Sequence, residues 1–322
     1  MKILVTGGAG FIGSNVVDGY IQAGHEVAVV DNLFTGKRSN VNPGAKFYHM
    51  DIRSEELESV IGREKPEVIN HHAAQMSVPA SVEDPLLDAD INIKGFLNLL
   101  ERAVKLGVKK VIFVSSGGAV YGESLEFPTP ESCPPKPLSP YAITKFSSEC
   151  YLVYYKHQYG LEYSVLRYSN IYGPRQIPHG EAGVVAIFMN HLLEGKPSVL
   201  NHFPEEPDGM IRDYCYVGDV VRANLGALSG GDGECINIGS GRPTRTAELY
   251  RVIYEEVRKV LPHLSSSLAV PERQEARPGD LKRSCLVVGR AREVLGWTAE
   301  TALKEGIRLT LEWWGEKRKG SS

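Results

Sequence analysis

Hydrophobic and polar positions in the first half of the chain switch between two periods. Short β-branched or apolar runs at residues 3–6, 27–31, 46–51, 68–72, 111–115 and 163–168 predict strands, and the stretches between them carry helix-like spacing. Strands alternating with helices predict an α/β architecture, a doubly wound parallel sheet that receives ligands at the carboxyl ends of its strands. Residues 84–106 and 140–160 are the longest predicted helices of this half. Between the fifth and sixth strands, residues 127–140 contain six prolines and predict a loop over the site.

Beyond Tyr172 the regularity weakens, and Gly173, Pro174, Pro178, Gly180 and Gly183 punctuate a turn-rich region. The expected division is a first lobe over 1–172 and a smaller C-terminal α/β substrate-binding lobe over 173–322. Apolar runs at 214–217 and 235–239 are expected to return to the first lobe, in a segment spanning 213–239. The polar end, 317–322, is expected to fray.

The first strand runs into Thr6-Gly7-Gly8-Ala9-Gly10-Phe11-Ile12-Gly13. Glycines so placed let backbone approach a pyrophosphate more closely than a Cβ allows, while the following helix aims its free N–H groups at the anion. Gly7, Gly10 and Gly13 give one spacing; Gly8, Gly10 and Gly13 give another. A second strand ending in Asp31 puts an acid at the offset of a ribose contact. Together these predict a dinucleotide-binding Rossmann unit.

The composition narrows the partners. A net charge of −3 on 322 residues argues against nucleic acid or an anionic membrane. No apolar stretch has the length of a bilayer span, and a strand starting at Lys2 leaves no room for a signal segment, so the cytoplasm is the expected location. The five cysteines are scattered and, like the histidines and acids, lack metal-ligand spacing, so no metal is expected.

Tyr141-Ala142-Ile143-Thr144-Lys145 sets a phenol and an amine at i and i+4, on one face of a helix. A free tyrosine titrates near 10. A neighbouring ammonium, joined by the positive charge of an oxidised nicotinamide, favours the phenolate and makes it a usable base. Lys145 can also hold the nicotinamide ribose. His71 and His72 are expected to be a packed pair at a strand end.

These motifs, with Asp31-Asn32-Leu33, Asp51-Ile52, His72-Ala73-Ala74-Gln75, the 115–122 stretch Ser-Ser-Gly-Gly-Ala-Val-Tyr-Gly, the 167–175 stretch from Arg167 to Arg175, Arg212-Asp213-Tyr214 and Arg277-Pro278-Gly279-Asp280, resemble the extended short-chain dehydrogenase/reductase family, NAD-dependent epimerase/dehydratase type. Within it the chain resembles the UDP-glucose 4-epimerase group over essentially its whole length. The resemblance implies NAD as cofactor, although Lys37 and Arg38 stand near Asp31. It implies that Phe11 and Ile12 lie against the pyrophosphate, that Asp31 and Asn32 hold the adenosine ribose, and that Asp51 and Ile52 flank the adenine. Ala73, Ala74, Gln75, Asn92, Ser115 and Tyr168 are implied around the nicotinamide half. For a UDP-sugar, Arg212 and Arg277 are implied at the diphosphate, Asn170 at a phosphate, Asp280 at the uridine ribose, and Val185, Phe188 and Val199 around the uracil.

The resemblance also bears on the reaction. Dehydrating relatives carry an Asp-Glu pair after the serine, and decarboxylating ones a Glu; this chain has Gly118 and Ala119. That implies a 4-epimerase, first for UDP-glucose and UDP-galactose, with the same chemistry on UDP-N-acetylglucosamine or UDP-glucuronate next. A 4-ketoreductase or dehydrogenase and a non-catalytic NAD-binding regulator are the readings of other classes. Tyr141, Lys145 and Ser116 are the expected catalytic residues.

Three departures stand out. Gly117 occupies a position where many relatives have Ser or Thr, leaving Ser116 or a water as the phenol's partner. Residues 201–210 replace a shorter turn near the base. Ser284 is small where some relatives exclude N-acetyl sugars with a bulky side chain. The resemblance further implies a homodimer, with Phe96, Leu99, Leu100, Tyr151, Val153 and Tyr154 on two helices that pair into a four-helix bundle.

Overall fold

A computed structural model describes residues 1–178, 183–277 and 280–319. Gly180, Pro278, Gly279 and the last three residues of the tail lie outside them. Seven parallel strands form the central sheet, in the order β10-β6-β5-β4-β1-β2-β3. They are β1 (Lys2–Thr6), β2 (Glu26–Asp31), β3 (Lys46–His49), β4 (Val68–His71), β5 (Lys110–Ser116), β6 (Glu162–Tyr168) and β10 (Glu234–Ile238). The order reverses between β1 and β4, where a crevice opens beyond the strand ends.

Alternation along the strands explains the two layers of helix. Ile3, Val5, Val27 and Val29 face α1 (Phe11–Gln22) and α9 (Val217–Ala227), in a core that includes Val16, Val17, Val220 and Ala223. Leu4, Ala28 and Val30 face the opposite layer of α2 (Leu57–Glu64), α5 (Gly95–Lys105) and α7 (Pro140–Tyr159). Phe96, Leu99 and Leu100 belong to this second core and are fully buried. They are therefore unable to form the outward bundle face expected of them.

The helix expected over 84–106 has internal structure. It consists of α4 (Pro85–Ala89), a π-helical turn at Asp90–Lys94, and α5, preceded by the separate short helix α3 (Val78–Glu83). Helix α7 follows its sequence signals closely. Ser139 accepts the Ala142 N–H at 3.2 Å, Pro140 opens the helix, and Gly160 closes it in the left-handed conformation.

A third core joins α8 (Val184–Leu193), α10 (Thr246–Val260) and α12 (Leu303–Lys319). Beside it, β9 (Ile211–Tyr216) pairs with β7 (Asn170–Tyr172) and β11 (Pro243–Arg245), while β8 (Val199–His202) pairs with β12 (Glu272–Glu275). Residues 235–238 do return to the large sheet, as β10 beside β6. Residues 214–216 take their register from Asn170–Tyr172 in the small sheet, while Cys215 and the following α9 pack in the first core. An apolar run shows that a segment is buried but not which sheet accepts it.

Candidate active site

The glycine loop is built for close approach. Gly7 has φ +70°, and a Cβ there would stand 2.6 Å from the Ala73 nitrogen. A Cβ on Gly13 would stand 2.3 Å from the Gly7 carbonyl oxygen, the group that also accepts the Gly10 N–H at 3.1 Å. Gly7, Gly10 and Gly13 thus pack on one another, whereas Gly8 faces the Val29 side chain. Helix α1 then begins at Phe11 and Ile12 with no side-chain cap among the described residues, which leaves the first-turn N–H groups without a side-chain acceptor at the N-cap.

Asp31 closes one wall. Its two carboxylate oxygens accept the Ala9 N–H at 2.9 Å and the Leu33 N–H at 2.8 Å, which fixes the acid at the loop and leaves lone pairs for hydroxyl groups. Asn32 donates to Asp51 at 3.0 Å, and Arg53 grips Asp51 from the other side, holding that carboxyl down at about 2. Ile52 buries its side chain against Gly95, so only its backbone is available to a ligand.

Tyr141 and Lys145 meet beside β5, where Lys145 also lies over the Phe113 ring. The Lys145 ammonium lies 5.9 Å from the Tyr141 ring centroid and donates to the Val114 carbonyl at 2.9 Å. Burial lowers the Lys145 amine to about 8, against the opposing pull of Asp88 and Glu149. Burial also pushes the Tyr141 phenol up to about 12, while a hydrogen bond from Ser116 pulls it down. Ser116 is thus the hydroxyl beside the phenol, and position 117 has none. Gly117 itself is packed shut, since a Cβ would stand 2.7 Å from Leu286.

Strand alternation separates Ser115 from Ser116. The Ser115 hydroxyl donates to Glu149 at 2.5 Å, so its side chain is engaged with α7. Tyr168 is similarly engaged: it is buried, and its hydroxyl accepts from Asn224 at 2.7 Å. His71 stacks on Phe96 at 4.7 Å and bonds Thr6 at 2.8 Å; burial lowers both histidines, His72 to about 3, as a packed pair requires.

Ala73 hydrogen-bonds Thr6 at 3.3 Å beneath Gly7, with Ala74 next along the crevice. Asn92 lies on the π-helical turn and exchanges two 2.9 Å hydrogen bonds with the backbone of Gln75. Two partners of this group escaped the sequence reading. Asp88, 1% exposed, accepts from Gln75, Asn92 and Thr144 at 2.8, 3.0 and 2.8 Å. Thr144 was in view within the Tyr141–Lys145 stretch, but nothing local marks Asp88.

On the other side of the crevice, Arg212 is enclosed and held by the carbonyls of Ile211 (2.9 Å) and Leu281 (2.8 Å). Among the described residues no carboxylate forms an ion pair with it, and burial lowers its pKa, so the guanidinium favours an anion. The Arg277 N–H donates to Asp280 at 3.0 Å, bringing these two together. Asn170 is exposed at the start of β7, and Val199 at the start of β8. Val185 and Phe188 are not at a surface: both are 2% exposed in the third core, Phe188 edge-on to Tyr250 at 5.0 Å. Their i,i+3 spacing puts them on the inner face of α8, with their side chains in the core.

The longer turn over 201–210 is tied by Glu205 to Lys282, by Glu206 to Arg245 and by Asp208 to Arg273. Ser284 faces Gly118, its hydroxyl 3.8 Å from where a Cβ on that glycine would lie. Arg175 bridges to Asp18 at 2.5 Å, outside the crevice.

A Rossmann sheet with a glycine cradle, a ribose acid and a Tyr–Lys pair over one crevice defines a nucleotide-dependent enzyme fold. The chain matches the NAD dependent epimerase/dehydratase family over residues 3–239, and it belongs to that family. It is 44% identical to a putative UDP-glucose 4-epimerase of Methanocaldococcus jannaschii, covering 97% of each chain. It is 43% identical to the UDP-glucose 4-epimerase of Mycolicibacterium smegmatis over 98% of this chain and 99% of that one. A UDP-glucose 4-epimerase of Thermotoga maritima, solved with UDP-glucose, superposes with a TM-score of 0.91 at 48% identity, covering 99% of this chain and all of the other. The Thermus thermophilus UDP-glucose 4-epimerase solved with NAD has a TM-score of 0.87 at 44% identity over 98% and 99% of the two chains. Among the described residues, no helix is long and apolar enough to cross a membrane, and no group of His, Cys, Asp and Glu is arranged to hold a metal.

Proposed function

We propose that this protein is an NAD-dependent UDP-hexose 4-epimerase that interconverts UDP-glucose and UDP-galactose through a transient 4-keto sugar. The observation that carries the reading is the phenol of Tyr141, with Ser116 beside it and the Lys145 ammonium beneath it, next to a cradle that admits a pyrophosphate. The Gly7, Gly10 and Gly13 loop, the start of α1, Asp31 and Lys145 fit a dinucleotide and would hold it. When bound, NAD supplies the acceptor that takes the C4 hydrogen with its electron pair and later gives it back.

The chain's own part is proton transfer and positioning. Tyr141 as phenolate removes the proton of the C4 hydroxyl, forming the C4 carbonyl, and Lys145 as ammonium stabilises the phenolate until then. On return, Tyr141 gives the proton to the C4 oxygen. Arg212 and Arg277 anchor the diphosphate while the sugar presents its other face. Positions 118 and 119 carry no acid or base, so nothing there drives loss of water or carbon dioxide.

Substrates with a 2-acetamido group form the second reading, favoured by the small Ser284 opposite Gly118. UDP-glucuronate ranks behind both, and net reduction by a 4-ketoreductase is the reading of another class. Incubation with UDP-glucose, UDP-galactose, their N-acetylamino counterparts and UDP-glucuronate, followed by separation of C4 epimers, tests these. Epimers with no net change in free NAD(H) are expected; net oxidation or reduction, or no epimer from any of them, overturns the proposal.

The same reading takes 1–172 with part of 213–239 as the cofactor lobe and the rest as the nucleotide-sugar lobe. It takes the protein as a cytoplasmic homodimer built on a four-helix bundle. Supporting the dimer are exposed Tyr151, Val153 and Tyr154 on α7, although α5 offers no matching Phe96–Leu100 face. The five unpaired cysteines suit a reducing compartment.

A further inference from the structure

Asp88 combines near-complete burial with hydrogen bonds to three separate segments. Its Oδ1 accepts from the Gln75 amide at 2.8 Å and the Asn92 amide at 3.0 Å, and its Oδ2 accepts from the Thr144 hydroxyl at 2.8 Å. Thr144 is within the Tyr141–Lys145 turn and also bonds the Tyr141 carbonyl at 3.0 Å. Gln75 precedes α3, whose Ser81 receives the Tyr141 N–H at 3.2 Å. One carboxylate thus ties the segment after β4, the π-helical turn and the first turn of α7.

A buried carboxylate is costly unless its charge has a use or a partner. All three donors to Asp88 are neutral, and among the described residues it forms no ion pair. The cation on its side of the structure is Lys145, itself surrounded by neutral groups apart from Asp88 and Glu149. We propose that Asp88 is a positioning residue for the Tyr141–Lys145 pair: it locks the three segments together and lays a fixed negative charge behind the phenol and the ammonium. The inference rests on Tyr141 as the base.

The charge acts on both groups in the same direction. A negative charge holds the ammonium of Lys145 protonated and opposes ionisation of Tyr141, keeping the proton on the phenol until a further positive charge arrives. Other ionisable groups on the elements around Asp88 include Asp84 at the cap of α4, Glu83 on α3, Asp90 and Lys94 on the π-helical turn, and Glu149 on α7; His71 and His72 at the β4 end are kept neutral by burial and by the Lys145 charge. Asp90 is neutralised by Lys94 and Arg53, and Glu149 by Arg167. Asp88 is the buried acid here without such a cation at ion-pair distance.

Asp88→Asn isolates the charge. An asparagine oxygen can accept from Gln75 and Asn92 while its amide donates to Thr144, whose hydroxyl still donates to Tyr141, so the network closes without the negative charge. Tyrosinate absorbance of the NAD-bound protein is titrated against pH in the wild type, Asp88→Asn, Asp88→Ser, Thr144→Val and Tyr141→Phe, with thermal unfolding followed in parallel. The smaller serine admits water and serves if the asparagine variant does not fold. The Tyr141 midpoint is expected to fall by about one pH unit in either Asp88 variant and to stay in place in Thr144→Val, which keeps the charge. An unmoved midpoint in folded Asp88→Asn or Asp88→Ser, or an equal shift in Thr144→Val, overturns the proposal. The Tyr141 step is the part of the signal that Tyr141→Phe removes from a chain of fifteen tyrosines; a lowest-pH step of unchanged midpoint and amplitude in Tyr141→Phe instead overturns the assignment of the base on which the proposal rests.

Discussion

Lys145 donates its ammonium to the Val114 carbonyl at 2.9 Å, which anchors a lysine that is 5% exposed at the end of strand β5. The anchor sets the charge beneath Tyr141 instead of letting the long side chain reach solvent. It also gives activity and stability opposite pH dependences above neutrality.

The sign follows from linkage. Burial lowers Lys145 to about 8 from an ordinary value of 10.5, so between those values the folded protein binds fewer protons than the unfolded chain. This residue's contribution therefore makes the fold more stable as pH rises through that window, by something on the order of 3 kcal/mol in all. Activity, which needs the ammonium, falls over the same window. Denaturant unfolding at stepped pH should show the rise in wild-type protein and its loss in Lys145→Met, after each is corrected for the groups they share. A wild-type curve that matches the variant would refute the assignment.

In the proposed mechanism Ser116 replaces the hydroxyl missing at position 117, and its place beside Tyr141 favours the phenolate. Ser116→Ala should lower kcat by roughly tenfold to a hundredfold and move the acid limb of its pH profile upward, because the phenol then ionises less readily. KM should change little. An unchanged acid limb would show that a water or another group serves the phenol.

The site was legible where its chemistry is local. Gly7, Gly10 and Gly13 pack against each other within one turn, and Tyr141 with Lys145 stood out because a pair at helical spacing follows a glycine-rich first strand. Asp31 was legible because the strand that carries it adjoins the glycine loop. Asp88 was not, since its function appears only when Gln75, Asn92 and Thr144 converge from three segments. Val185, Phe188 and Phe96 illustrate the matching limit in the fold. Apolar spacing marks the buried face of a helix, but not whether a ligand, a partner subunit or the protein's own core covers it. The π-helical turn around Asn92 was hidden for a similar reason: its sequence remains compatible with one continuous helix.

Gly117 permits a direct test of why its hydroxyl is absent. A Cβ there would stand 2.7 and 2.9 Å from the two methyl carbons of Leu286, which is 1% exposed. Gly117→Ser should cost about 1–3 kcal/mol as Leu286 is forced from its place. Leu286→Ala in the same chain should recover part of that loss, although alone it is destabilising. Thermal unfolding of the two single variants and the double variant measures the coupling; strictly additive effects would mean that the two side chains do not compete for space.

Behind the catalytic helix, Arg167 and Glu149 form a two-point ion pair, with Nε to Oε1 at 3.0 Å and Nη2 to Oε2 at 2.5 Å. Both side chains are at most 5% exposed, and Ser115 and Tyr121 complete their hydrogen bonding. Glu149→Gln would leave the guanidinium buried without a counter-charge, at a cost of about 3–5 kcal/mol. Replacing both residues by apolar ones of similar size should cost much less, because no charge is then stranded. Glu149 also lies one helical turn beyond Lys145 and favours its ammonium, so the single variant should shift the basic limb of activity to lower pH. Urea unfolding should show a lower midpoint with an unchanged slope for Glu149→Gln, and substantial recovery in the double replacement. If the single variant unfolds at the wild-type midpoint, the pair is not what holds α7 against β6, and the orientation of Tyr141 must be secured elsewhere.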